Sequence, residues 1–148
     1  MSAATTNRDA GQTRDIARAQ IEALFAGSWT LAAVGRFHTA HKLLLMAHSP
    51  QRYRDLGRLV AEMRALPRDE FAIRYAAQFT TALCSPATRR GHVNALQHAA
   101  GYFKHRLDRA AKAGLAAAID DYRRGRVPLA VPMTLLRTYV REHAVSYL

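Results

Sequence analysis

The chain has 148 residues and a formal net charge of +11, with 22 lysines and arginines against 11 acidic side chains. That length suits one domain with a buried core, and a 49% hydrophobic share is globular rather than disordered. A single cysteine, Cys84, excludes a disulfide scaffold and a cysteine-rich zinc site, and no run of about 18 apolar residues is present to span a bilayer.

Met1 to about Gly11 is small and polar, and residues 1–12 read as a flexible tail. No apolar signal region is visible there, so the expected setting is reducing and cytoplasmic. Thr13 is placed to cap a first helix ending near Phe25, with Ile16, Ile21, Leu24 and Phe25 as its apolar positions. Gly27-Ser28 breaks it. A second helix is predicted from about Thr30 to His48, because Leu31, Val34, His38, His41, Leu45 and His48 alternate spacings of three and four residues. Ser49-Pro50 then starts a third helix, with serine as cap and proline where no N–H is needed. Its inward positions are Tyr53, Leu56, Leu59, Val60 and Met63.

Leu66-Pro67 ends that helix, and Asp69 and Glu70 suit the positive end of the next helix dipole. The fourth helix carries Phe71, Ile73, Tyr75, Phe79 and Leu83. Ser85-Pro86 repeats the start chemistry and opens a fifth helix to about Arg106, on the stripe Val93, Leu96, Ala100, Phe103 and Leu107. A sixth spans roughly Asp108 to Arg124 and stops at Gly125, a good residue for the position after a helix end. Pro128 and Pro132 bracket an extended link before a last helix from about Pro132. No strand alternation or Asn-Gly hairpin appears. The expected fold is all-α, a single compact bundle of about six or seven helices in one domain over residues 13–148.

Nineteen of the cations are arginines and three are lysines. Guanidinium forks match phosphate geometry, so the surplus suggests an anionic partner, with nucleic acid the commonest. An arginine-rich composition inherited from a GC-rich genome explains the same count. His38, His41 and His48 share one side of the second helix. Such a set makes a polar pocket or a structural network. No acidic residue on that helix completes a metal site, so no metal ligand is assigned. The fifth helix carries a second polar stripe, Arg90, Asn94, Gln97, His98, Gly101 and His105. Asn94 and Gln97 offer the donors and acceptors that base edges require, or equally a buried amide network between helices. Gly101 admits the close approach of a ligand or of another helix.

Arg89 and Arg90 lie in the first turns of that helix, where cations oppose the dipole, so an acidic neighbour or a phosphate is expected to compensate. Tyr122-Arg123-Arg124-Gly125-Arg126 is a basic cluster suited to a phosphate backbone or to plain C-terminal capping. Cys84 reads as a small buried hydrophobe. Asp120 and Asp121 are adjacent and point apart, a poor acid–base pair. There is no nucleophile elbow, phosphate loop or H-E-x-x-H, and no catalytic residue or cofactor is assigned.

Three blocks then resemble a known family. Phe37-His38-Thr39-Ala40-His41-Lys42-Leu43-Leu44-Leu45-Met46-Ala47-His48-Ser49, continued by Tyr53 to Leu59, is similar to the opening motif of the YbgA-like domain of unknown function. Ala87 to His98 followed by Gly101-Tyr102-Phe103-Lys104 resembles its central motif, and Asp121 to Leu136 its closing one. The resemblance covers roughly residues 30 to 148. Such domains occur alone or fused behind a cysteine-rich desulfidase domain that acts on thiolated pyrimidines. The resemblance therefore implies an accessory module that engages RNA, in particular tRNA carrying thiouridine. The desulfidase cluster needs several cysteines, so that activity does not reside in this chain.

Three functions are carried forward. The first is a non-catalytic RNA-binding module, with Lys42, Arg89, Arg90, Lys104, Arg123 and Arg124 on phosphates and Asn94, Gln97, His98 and Tyr102 on base or ribose. The second is an enzyme with a polar pocket of His38, His41, Lys42, Asn94 and His98. The third is a scaffold that docks on a separate desulfidase or other RNA-modifying protein, through an exposed apolar patch.

Overall fold

The structure is a computed structural model that describes the backbone of residues 2–143 and side chains from Gly11 onward. Residues 144–148 of the closing segment and the side chain of Arg8 lie outside the described residues. Among the described residues there are seven helices and no strand, as the hydrophobic spacing predicts. They are α1 (Ser2–Phe25), α2 (Leu31–His48), α3 (Pro50–Ala61), α4 (Arg68–Cys84), α5 (Arg89–Gly101), α6 (Arg109–Arg123) and α7 (Ala130–His143).

The helix ends follow side-chain chemistry. Thr30, Thr88 and Asp108 each cap a helix by accepting from the backbone N–H three residues on, at 3.1, 2.9 and 2.8 Å. Ser49 serves two helices: its N–H donates to Leu45 O at 2.8 Å and its hydroxyl accepts from Arg52 N–H at 3.3 Å, with Pro50 at the first helical position. α6 ends at Gly125, whose φ of +74° is the left-handed conformation a helix stop requires.

Several boundaries differ from the sequence reading, and α7 begins at Ala130, inside the stretch read as an extended link, so that Pro132 lies in its first turn, where a missing N–H costs nothing. α1 begins at Ser2 and runs through the stretch read as a tail, which contains no proline to stop it. α5 begins at Arg89, not after Ser85-Pro86, because the Thr88 side chain holds the first turn. α5 also ends at Gly101, and the chain to Leu107 continues as tight turns in which Phe103 and Leu107 remain buried.

The helices form two compact units, Met1–Pro86 and Ala87–Leu148. In the first, α4 packs against α1, α2 and α3. Its centre is a ladder of fully buried rings on α4, Phe71, Tyr75 and Phe79, with successive centroids 5.7 and 6.1 Å apart. Phe25, Trp29 and Phe37 close on this ladder edge-on or tilted. Full burial of each such ring stabilises by about 1.5–3 kcal/mol before chain entropy is counted. Ile16 and Ile73, counted among the apolar positions of their helices, are 52% and 71% exposed. The inward face of α4 steps through residues 71, 75, 79, 82 and 83, and residue 73 lies off that stripe.

In the second unit α5, α6 and α7 all pack against one another. Its buried side chains are smaller: Val93, Leu96, Leu115, Ile119 and Leu136, with Phe103 and Tyr122 as the rings.

Candidate nucleic-acid interface

The histidines of α2 are held by their own unit. His38 shares a 3.1 Å hydrogen bond through Nδ1 with the Tyr75 hydroxyl, and its ring lies parallel to that of Tyr53. Burial first, and the nearby His41 second, push the His38 pKa below its ordinary value, so the ring is neutral at physiological pH. Burial likewise raises the Tyr75 hydroxyl well above the usual phenol range. His41 donates from Nδ1 to Phe37 O at 2.8 Å, meets Gln20 at Nε2 at 2.9 Å and stacks on Phe37. His48 donates to Ser85 O at 2.6 Å and so ties the end of α2 to the chain after α4. Lys42 is 7% exposed. This set is a structural network of the first unit. No group of three His, Cys, Asp or Glu suited to a metal occurs among the described residues. Cys84, read as buried, is exposed, because the α4 stripe ends on Leu83 and turns the next residue to solvent.

The remaining candidates all fall in Ala87–Leu148, which has eleven lysines and arginines against four acidic residues, an excess of seven. Met1–Pro86 has eleven against seven, an excess of four, over a longer stretch. Arg89 and Arg90 open α5, yet they are not equivalent. Arg89 turns to the C-terminal end of α6, where its guanidinium donates to Tyr122 O and lies 4.8 Å from the centre of the Tyr122 ring. The negative end of α6 thus supplies the compensation that a cation at the start of α5 needs. Tyr122 also bonds His92 through its hydroxyl, at 2.9 Å. Arg90 is exposed, and no such contact engages it.

The closing cluster is internally paired. Asp120 receives Arg123 at 2.6 Å on one oxygen and Arg124 at 2.8 Å on the other, and Arg126 lies 3.5 Å from Asp121. The hydrogen bond from Arg123 leads in holding the Asp120 carboxyl below its ordinary pKa. Two aspartates that make a poor catalytic pair therefore serve as counter-ions. Asn94, Gln97 and His98 are exposed on α5, and Tyr102 is half-buried with its hydroxyl 3.4 Å from His98 Nε2.

Between α5 and α6 lies an open groove of about 440 Å³. Leu107, Leu115, Ile119, Ala100 and Ala116 form its apolar floor, and Gln97, Lys104, Lys112, Asp120 and Arg123 stand around it with Gly101. Of the ten phosphate and base candidates, Gln97, Lys104 and Arg123 are thus brought to one groove. Arg90, Asn94 and His98 are exposed on α5 without lining it, and Arg89 is spent on the α6 terminus. Lys112 was not singled out in sequence. Its one signal is that it is among only three lysines, and its neighbourhood depends on how the turn after α5 brings α6 back.

The exposed apolar patch sought for a docking scaffold has a small counterpart on α7, where Ala130, Val131 and Leu135 line a shallow depression with Thr134 and Thr138. No helix among the described residues is long and apolar enough to cross a membrane. No solved structure matches the chain. It is 35% identical over 120 residues to the uncharacterized protein YbgA of Escherichia coli (strain K12), an alignment covering 80% of this chain and 71% of that protein. Residues 42–148, spanning part of the first unit and all of the second, match the family described as "Protein of unknown function (DUF1722)". The three sequence blocks and these two matches agree, and the chain belongs to the DUF1722 family, to which its YbgA-like motifs point.

Proposed function

We propose that this protein is a non-catalytic RNA-binding module of the cytoplasm, with tRNA as the RNA class that its YbgA-like motifs suggest. The observation that carries the reading is the uneven charge of the chain: Ala87–Leu148 holds an excess of seven positive charges. Within it Arg90 and Lys104 are exposed and in no ion pair among the described residues. Phosphate contacts dominate non-specific affinity for nucleic acid and make it depend on salt. Arg90 and Lys104 are the phosphate contacts in this reading, Asn94 and Gln97 the base or ribose contacts, and Arg89 a positioning residue. A separate desulfidase is the protein partner suggested by the same motifs.

His38, His41 and His48 each bond an internal partner through Nδ1, which orients the rings within the first unit and assigns them no reaction. The test is filter binding of bulk tRNA at low and high salt. Binding at about 50 mM salt that weakens steeply by 200 mM supports the proposal. Absence of binding at the lower concentration refutes it.

A further inference from the structure

Gly101 has no conformational reason to be glycine. It is the last residue of α5, its φ is not positive, and a Cβ built on it meets no atom within 4 Å. Glycine costs about 1 kcal/mol relative to alanine inside a helix. Close helix packing, one of the two sequence readings of this residue, therefore does not explain it. What the missing side chain does is leave the α5–α6 groove open, since Gly101 is exposed and lines it.

The walls have a definite chemistry. Ala100 and Ala116 present the accessible apolar floor, which the nearly buried Leu115 and Ile119 complete, at 2% and 4% exposed. Lys104 and Lys112 stand on the rim, and they are the two exposed lysines of a chain whose third, Lys42, is buried. The one carboxylate at the rim, Asp120, is ion-paired with Arg123 and Arg124, whose charges offset its own toward an anion. Gln97 adds an amide with both donors and an acceptor. The volume falls within the range of about 300–1,000 Å³ typical of small-molecule sites, enough for one nucleotide and too small for a partner helix.

We infer that this groove seats a single unpaired nucleotide of a bound RNA. The base lies on the apolar floor at Ala100 and Ala116, Gln97 meets its edge, and the adjoining phosphate sits between Lys104 and Lys112. The inference rests on the RNA reading and narrows it to single-stranded segments, because a base inside a duplex cannot enter the groove.

The test is fluorescence anisotropy with a labelled single-stranded RNA of about twelve nucleotides and a fully paired duplex of equal length. Gly101→Leu fills the groove and is expected to weaken single-strand binding about tenfold while leaving duplex binding unchanged. Gly101→Ala is expected to keep both within about twofold. If Gly101→Leu binds the single strand like the wild type while Lys104→Ala weakens both RNAs, the nucleotide seat is wrong and the phosphate reading stands. If the wild type binds neither RNA at low salt, both fail. Uridine monophosphate titrated into the isotope-labelled wild-type chain gives an answer that does not depend on the folding of any variant. Amide shifts centred on Gly101, Lys104 and Lys112 support the seat, and their absence at millimolar ligand overturns it.

Discussion

The two units treat their polar side chains in opposite ways. In Met1–Pro86 the rings of His38 and His41 are built into an aromatic core, bonded to Tyr75 and Phe37 and stacked on Tyr53 and Phe37. In Ala87–Leu148 the core is mostly aliphatic, and cations stand in solvent around an open groove. Even there the charge is sorted. Arg89, Arg123, Arg124 and Arg126 are held by a helix end or by aspartates, while Arg90, Lys104 and Lys112 make no ion pair among the described residues. The contrast teaches that residue type alone does not sort these side chains: three histidines on one helix bond within their own unit, and two lysines in an arginine-rich chain flank the groove.

The largest expected effect breaks the first unit. Phe79→Ala removes a fully buried ring and should cost about 3–5 kcal/mol in chemical denaturation. A loss under 1 kcal/mol would mean that the ladder on α4 is not its centre. Next comes the split between the two arginines that open α5. Arg89→Ala should destabilise by about 1–2 kcal/mol, because the Tyr122 carbonyl and ring lose their cation. Arg90→Ala should stay within about 0.5 kcal/mol in stability yet lower the salt dependence of RNA binding by roughly one phosphate contact. Equal behaviour of the two variants would erase the distinction.

Glycines sharpen it further. Gly125→Ala forces a left-handed φ on alanine and should cost about 1 kcal/mol, whereas Gly101→Ala should stabilise by about 0.5–1 kcal/mol. Thermal melts of the two variants should therefore move in opposite directions.

The smallest effect is a pH dependence of the first unit. His38 has a lowered pKa in the folded chain, so the unfolded chain binds more protons once the pH falls below about 6.5. Stability from this residue is full above that value and is lost as the pH falls through the folded pKa. Tyr75→Phe removes the shared hydrogen bond for about 1 kcal/mol and leaves the ring in place. His38→Phe should flatten the stability profile between pH 7 and 5. An unchanged slope would show that His38 is not buried neutral.

The helices were largely legible because their apolar spacing and their caps are local. Thr30, Ser49-Pro50 and Gly125 act where the sequence places them. Ser85-Pro86 misled because Thr88, three residues later, offers the same chemistry and its side chain makes the bond. Cys84 misled because one step along a helix turns a residue from core to solvent. The site was legible only in part. Gln97 on α5 and Lys104 in the turns after it were visible, but Lys112 joins the groove from α6 across those turns. The Arg89–Tyr122 contact joins α5 to α6 and residue order does not encode it, whereas the pairs of Asp120 with Arg123 and Arg124 are three and four residues apart and were readable from helical spacing.

The central claim is that phosphate recognition belongs to Ala87–Leu148. The most direct measurement compares two triple variants in tRNA filter binding at about 50 and 200 mM salt, Arg90→Ala/Lys104→Ala/Lys112→Ala and Arg52→Ala/Arg54→Ala/Arg58→Ala. Three phosphate contacts give roughly a 20- to 40-fold loss of affinity over that range. The account predicts that the first variant loses that part of the salt dependence and that the second retains it. Equal losses from the two variants, or a larger loss from the second, would contradict it.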